Sequence, residues 1–128
     1  MDSEFSLIIA NFRSEKLDAV EKELERLGVE RINVSKVRGF GEYHNYFAPN
    51  WLESEVRMEI FTKKHEVQTV VSAIMQKSRS GTTGLPGDGV VAVLPIEKLY
   101  LIRTGSEATP ETFWGAKDAT SSSSGANT

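Results

Sequence analysis

Residues 81–95 read GTTGLPGDGVVAVLP, with glycine at 81, 84, 87 and 89. Glycines let backbone N–H groups converge on an anion without interference from a Cβ. The stretch is not a Walker A loop. No Gly-Lys-Ser/Thr ends it, and it runs from a helical pattern into a strand pattern rather than the reverse. A plain helix-to-strand connection accounts for the same composition. Arg103, within IRTG, has the planar fork that clamps a phosphate or carboxylate, and its ordinary alternative is a surface ion pair. His44 and His65 are the only histidines. His44, in EYHNYF, has the chemistry of a metal ligand or an acid–base group, with Glu42 or Glu55 as companions, whereas His65 sits at a helix start. Tyr43, Tyr46, Phe47 and Trp51 cluster in one stretch without period. Such aromatics either pack on one another or anchor a partner protein. No Ser-His-Asp or paired-carboxylate arrangement follows from spacing. The chain has no cysteine, which excludes disulfides, thiolate metal sites and cysteine catalysis.

The elements that must position these residues are readable from their periods. FSLIIA, residues 5–10, is a short apolar run of buried-strand type. Ser14 can cap the helix that follows, whose face is Leu17, Val20, Leu24 and Leu27, with Gly28 as its stop. INVSKV, residues 32–37, is a strand with imperfect alternation. VRMEIF, residues 56–61, alternates cleanly, with Val56, Met58 and Ile60 inward and Arg57 and Glu59 outward. Val67, Val70, Val71, Ile74 and Met75 mark a second amphipathic helix, with Lys77 and Arg79 near its negative end. VVAVLP, residues 90–95, reads as a buried strand and LYLIRT, residues 99–104, as a short last one. The order β-α-β, long loop, β-α-β predicts an α+β, ferredoxin-like βαββαβ sandwich. Two helices cover one sheet face, so the other needs cover, most simply from further copies of the chain.

The 128 residues fit one domain. At 39% apolar, 26% charged and a net charge of −3, the chain has no broad basic field for nucleic acid. The N-terminal MDSEFSLIIANF has no basic n-region and too short an apolar run for a signal peptide or membrane span, so the expected location is cytoplasmic. The Ser-rich tail from about residue 116 has little to bury and reads as disordered.

With these residues assembled, the sequence resembles the PII signal-transduction family. The resemblance rests on TGLPGDGVVAVLPIEKLYLIRTG (83–105), on VSKVRGFG (34–41) and on VRMEIF, and spans roughly residues 5–107. It implies a homotrimer with the sheets facing the threefold centre, a domain at 1–107, a T-loop at about 39–55, a B-loop at about 82–89 and an extension at 108–128. It further implies adenine-nucleotide sites in the clefts between subunits. The 84–89 turn, with Gly84, Gly87, Asp88 and Gly89, would offer backbone donors to phosphate. Gly39, Phe40 and Gly41 would flank the nucleotide, Asn33, Phe61 and Thr62 would lie by the base or ribose, and Arg103 would reach in from a neighbouring subunit.

The departures from the family pattern carry as much. Val90 stands where the family has lysine and Leu101 where it has a second arginine. Glu42 and Tyr43 replace an arginine-glutamine pair. Losing these cations predicts a preference for ADP or AMP over ATP. The T-loop is short and lacks the usual modified tyrosine, so uridylylation is not expected. The chain looks most like the carboxysome- and bicarbonate-transport-associated PII-like group, which implies a non-catalytic sensor of ADP or AMP, with bicarbonate as a candidate co-ligand and no resident cofactor or metal. Its partner would be a transporter at the membrane periphery, a carboxysome component or an enzyme, engaged through Tyr43, Tyr46, Phe47 and Trp51. The alternatives are a nitrogen-regulatory PII protein sensing ATP and 2-oxoglutarate, a metal-associated PII-like protein, or a ferredoxin-like enzyme.

Overall fold

A computed structural model describes residues 3–29, 31–40 and 52–113. Four strands form one antiparallel sheet: β1 (Phe5–Arg13), β2 (Ile32–Phe40), β3 (Leu52–Lys63) and β4 (Gly89–Ile96), in the order β2-β3-β1-β4. Helix α1 (Leu17–Arg26) follows β1, and α2 (Val67–Ser78) follows β3. This is the ferredoxin-like βαββαβ arrangement read from the sequence, with β1 central between β3 and β4.

The register explains the core. Ile8 stands opposite Ile60 and Val93, Ala10 opposite Met58 and Val91, and Phe12 opposite Val56 and Gly89. Ile8, Ala10, Phe12, Val56, Met58 and Ile60 are buried with Val20 and Leu24 of α1 and Val70, Ala73 and Ile74 of α2 in one cluster. Both helices therefore lie on the same sheet face. The other face carries Leu7, Ile9 and Asn11 of β1 with Phe61, Glu59 and Arg57 opposite them. Arg57 and Glu59 pair there at 3.1 Å.

Gly28 ends α1 as expected, with φ of 89°. Val29 N–H donates to Leu24 O and Gly28 N–H to Glu25 O, both at 3.0 Å, which is the Schellman pattern. Val29 and Leu24 both enter the core, so the stop is also a packing contact. Ser14 is not the N-cap of α1. It opens a 3-10 turn, Ser14–Lys16, that delays the helix to Leu17.

Three features add to or correct the sequence reading. Strands β2 and β3 pair as far as Phe40 with Leu52, so the ladder runs into both ends of the expected T-loop, and residues 41–51 lie outside the described residues. The strand expected at 99–104 is only Tyr100–Leu101 (β5), which pairs with Ser106–Glu107 (β6) in a separate hairpin. Gly105, with φ of 71°, closes its turn, donating its N–H to Leu101 O. Finally, the packed chain continues into the extension expected at 108–128. Ala108 and Phe113 are buried with Phe5 in a second cluster, against which Phe61, Ile96, Leu99 and Leu101 pack. Phe113 meets Phe5 edge-to-face at 5.2 Å, and the Arg31 guanidinium lies 5.6 Å from the Phe113 ring centroid. A sequence search for period has no access to an aromatic that docks singly on a distant strand. The tail beyond Phe113 lies outside the described residues.

Candidate functional site

The glycine loop joins α2 to β4, as the sequence suggested. Its shape is set by one carboxylate. Asp88 accepts hydrogen bonds from the Ser80 hydroxyl at 2.6 Å, the Ser80 amide at 3.0 Å, the Leu85 amide at 2.9 Å and Arg13 Nε at 3.2 Å. The same arginine donates a terminal N–H to Pro86 O at 2.7 Å. Gly84 N–H donates to Ser80 O and Asp88 N–H to Leu85 O. Gly84, Gly87 and Gly89 all have positive φ, as so tight a coil requires. Several donors implied for phosphate are therefore engaged within the loop: those of Gly84, Leu85 and Asp88 close the loop on itself. What the loop offers a ligand is a preformed shape rather than a full set of idle amides.

The hydrogen bonds from Ser80, first from its hydroxyl and then from its amide, hold the Asp88 carboxyl well below its ordinary pKa of 3.8. A depressed carboxyl stabilises the fold above its unfolded pKa and loses that contribution as pH falls through the folded value. Loop order is therefore expected to be complete above about pH 4 and to fade on further acidification. Amide exchange of Ser80 and Leu85 checks this. Asp88→Asn is expected to quicken both exchanges at neutral pH and to remove the acid-dependent step. An unchanged acid response in that variant would transfer the effect to another carboxylate.

Val90 follows the loop on β4 and is 67% exposed, so an apolar side chain faces outward where the resemblance expects a cation. A cavity of about 190 Å³ lies beside it, lined by residues that include Asn11, Ser78, Arg79, Asp88 and Val90. Asn11 Oδ1 is buried there without a hydrogen-bond partner among the described residues.

The other predicted residues fall at a distance set by the sheet. Phe61 stands opposite Leu7 and Thr62 opposite Ser6, whereas Gly89 stands opposite Phe12. Five to six strand residues separate the two places, roughly 16–20 Å along β1. Thr62 is buried, and its hydroxyl donates to Ser6 O at 3.2 Å. Phe61 packs against the Phe5–Phe113 cluster. Arg103 is not on a strand: it is an exposed residue of the turn between β5 and β6, because the chain reverses after Leu101 instead of running on. Leu101 packs in the same cluster, which puts that hairpin at the Phe61 end of the sheet. Gly39 and Phe40 end β2 on the far edge strand, and Asn33 is exposed on β2 opposite Glu59. A single chain thus does not bring the predicted residues together: one group lies around the glycine loop, another around Phe61 and the hairpin, and Asn33, Gly39 and Phe40 lie apart on β2.

Gly41, Glu42, Tyr43, His44, Tyr46, Phe47 and Trp51 lie outside the described residues. No group of three His, Cys, Asp or Glu residues able to hold a metal ion occurs among the described residues. His65 is exposed, 3.8 Å from Glu66. No described helix is long and apolar enough to cross a membrane.

The profile of the nitrogen regulatory protein P-II family matches residues 5–106. The chain belongs to the P-II family. It is 34% identical over 112 residues to the nitrogen regulatory protein P-II homolog of Arabidopsis thaliana, an alignment covering 81% of this chain and 56% of that one. It is 35% identical over 112 residues to a nitrogen regulatory protein of the archaeon Methanosarcina mazei, covering 81% and 93%. This P-II chain thus spans little more than half the length of the plant relative and nearly all of the archaeal one. Its fold matches the crystal structure of Arabidopsis thaliana PII bound to citrate with a TM-score of 0.66 at 32% identity, over 84% of this chain and 88% of that one. P-II membership makes this chain a regulatory protein. Sequence reasoning singled out the glycine loop, Asp88 and Gly89, but not Arg13 and Ser80, which bond to Asp88. Neither carries a local signal, since each acts only because β1 and the end of α2 converge on Asp88.

Proposed function

We propose that this P-II protein is a non-catalytic sensor that binds ADP or AMP in preference to ATP, in clefts between the subunits of a homotrimer. The observation that carries the reading is the separation of the two residue groups along β1. The glycine loop stands at one end of the sheet, and Phe61 with the Arg103 hairpin stands at the other. A loop suited to phosphate and an exposed arginine work on one nucleotide if a second copy supplies the missing half. The sheet face away from the helices, where Ile9 stands between Glu59 and Ala92, would make that contact. Exposed Val90 beside the loop supports the preference for fewer phosphates, because the position that would balance a third phosphate is apolar. Ligand occupancy would then bias the segment between Phe40 and Leu52, and through it a partner protein, by differential affinity for two loop states. Bicarbonate is a candidate co-ligand and inorganic-carbon metabolism a candidate setting, supported only by the residue departures that resemble the carboxysome-associated group.

A second reading is a nitrogen regulator responding to ATP and 2-oxoglutarate. The names of the relatives favour it: the plant and archaeal proteins are both nitrogen regulatory proteins.

Titration calorimetry with ATP, ADP, AMP and cyclic AMP, each with and without bicarbonate, separates the two. ADP or AMP is expected to bind more tightly than ATP. Tightest binding by Mg-ATP, strengthened by 2-oxoglutarate, selects the nitrogen reading instead. Arg103→Ala is expected to lower nucleotide affinity at least tenfold, the effect of losing one charge-assisted contact. Wild-type affinity in that variant would remove the hairpin from the site.

A further inference from the structure

We infer that Arg13 is the positioning residue of the phosphate loop, the cation bonded to its central carboxylate, which makes a loop built around a partly buried negative charge able to receive an anion. The inference rests on the nucleotide reading above for its ligand, but on the geometry of the free chain for its mechanism.

Asp88 closes the loop from within, through Ser80 and Leu85. Those contacts give the loop its curvature, yet Ser80 and Leu85 are themselves parts of the α2-to-β4 connection. Arg13 is different: it is the last residue of β1, 75 positions from Asp88 in sequence. Its fork holds two points of the loop at once, Asp88 Oδ1 at 3.2 Å and Pro86 O at 2.7 Å. The side chains of Arg13 and Asp88 are 26% and 19% exposed, so the pair is shielded more than a surface pair. A two-point arginine contact fixes orientation as well as distance, which a lysine does not.

The charge balance matters equally. A phosphate approaching the loop meets the Asp88 carboxylate, which is held ionised. Unscreened, that carboxylate would repel the ligand. Arg13 supplies the opposing charge in contact with it. Val90, next on β4, supplies none. Arg13 also stands opposite Glu55 on β3, three residues beyond Leu52, where that strand begins. One side chain thus touches the phosphate loop and sits on the strand pair that leads to the residues between Phe40 and Leu52.

Four proteins test this: wild type, Arg13→Gln, Arg13→Lys and Arg13→Gln/Asp88→Asn. Amide exchange of Leu85, Gly87 and Asp88 in the ligand-free proteins is read first, alongside exchange in the core strands as a control for folding. Arg13→Gln is expected to quicken the loop amides at least roughly tenfold, through loss of the charge-assisted hydrogen bonds to Asp88 and Pro86, with the β1 and β3 cores unchanged. ADP affinity by calorimetry is expected to fall about tenfold in the same variant and AMP affinity by less, since fewer phosphates meet the uncompensated Asp88. Arg13→Lys restores charge without the fork and is expected to recover ADP affinity in part. The double variant is expected to bind ADP better than Arg13→Gln alone, because the unbalanced charge is gone. A merely structural arginine would not produce that recovery. Unchanged loop exchange in Arg13→Gln overturns the inference, whatever the ligand. Quickened exchange in a protein whose wild type binds no adenine nucleotide keeps Arg13 as the loop's anchor and overturns the nucleotide reading instead.

Discussion

Gly89→Ala is expected to destabilise this protein by about 3 kcal/mol or more, a loss large for one methyl group. Gly89 has φ of +114°, a conformation that L side chains rarely adopt. A Cβ there would lie 1.9 Å from the Asn11 carbonyl oxygen and 2.9 Å from Phe12 Cα. Both are backbone atoms of the central strand, so nothing can rotate aside. Relief requires β4 to move from β1 at the point where the glycine loop hands the chain to the sheet. Loop geometry and stability should therefore fail together. Gly81→Ala is the matched control. Gly81 also has positive φ, +67°, but a Cβ there meets nothing within 4 Å. Its cost is about 1–2 kcal/mol, from the backbone conformation alone. Urea unfolding of the two variants measures the difference. Equal midpoints would mean that β4 yields to the methyl group, and that the close approach of Gly89 to β1 is not a constraint.

The contrast also shows what was legible before the structure. Both glycines belong to the same conspicuous loop, and sequence places both in it. Only the register, Phe12 opposite Gly89, reveals that one is pressed against a strand and the other open. The fold itself was readable because Val56, Met58 and Ile60 alternate and Val20 and Leu24 share a helical face, patterns that repeat within one element. The site was readable only as types of residue. Asp88 was singled out for its place in GDG, but its work is done through Arg13 and Ser80, 75 and 8 residues away, and convergence of that kind leaves no local trace. The Arg103 hairpin was misread as a strand for a related reason. Leu99 and Leu101 do pack inward, in the second cluster, but Ile102 is 97% exposed because the chain has already turned.

Phe12→Ala is expected to be comparably severe, at about 3–5 kcal/mol, through a void rather than a clash. Phe12 is 1% exposed and among the largest fully buried side chains, packed in the cluster that joins both helices to the sheet. The void would open beneath Gly89 and Val56, its two cross-strand neighbours, and one residue before Arg13. That position ties core packing to the loop: β1 presents Phe12 to the helices and Arg13 to Asp88 on successive residues. Phe12→Leu, which keeps much of the volume, is expected to cost less than about 1.5 kcal/mol and to leave the loop amides protected. Denaturant unfolding measures the stabilities, and exchange at Leu85 and Asp88 reads the loop. A Phe12→Ala protein with native loop protection would mean that the loop is held from Asp88 inward, independent of the strand beneath it. Loss of loop protection in Phe12→Ala, with retention in Phe12→Leu, would place the rigidity of the glycine loop in the packing of β1.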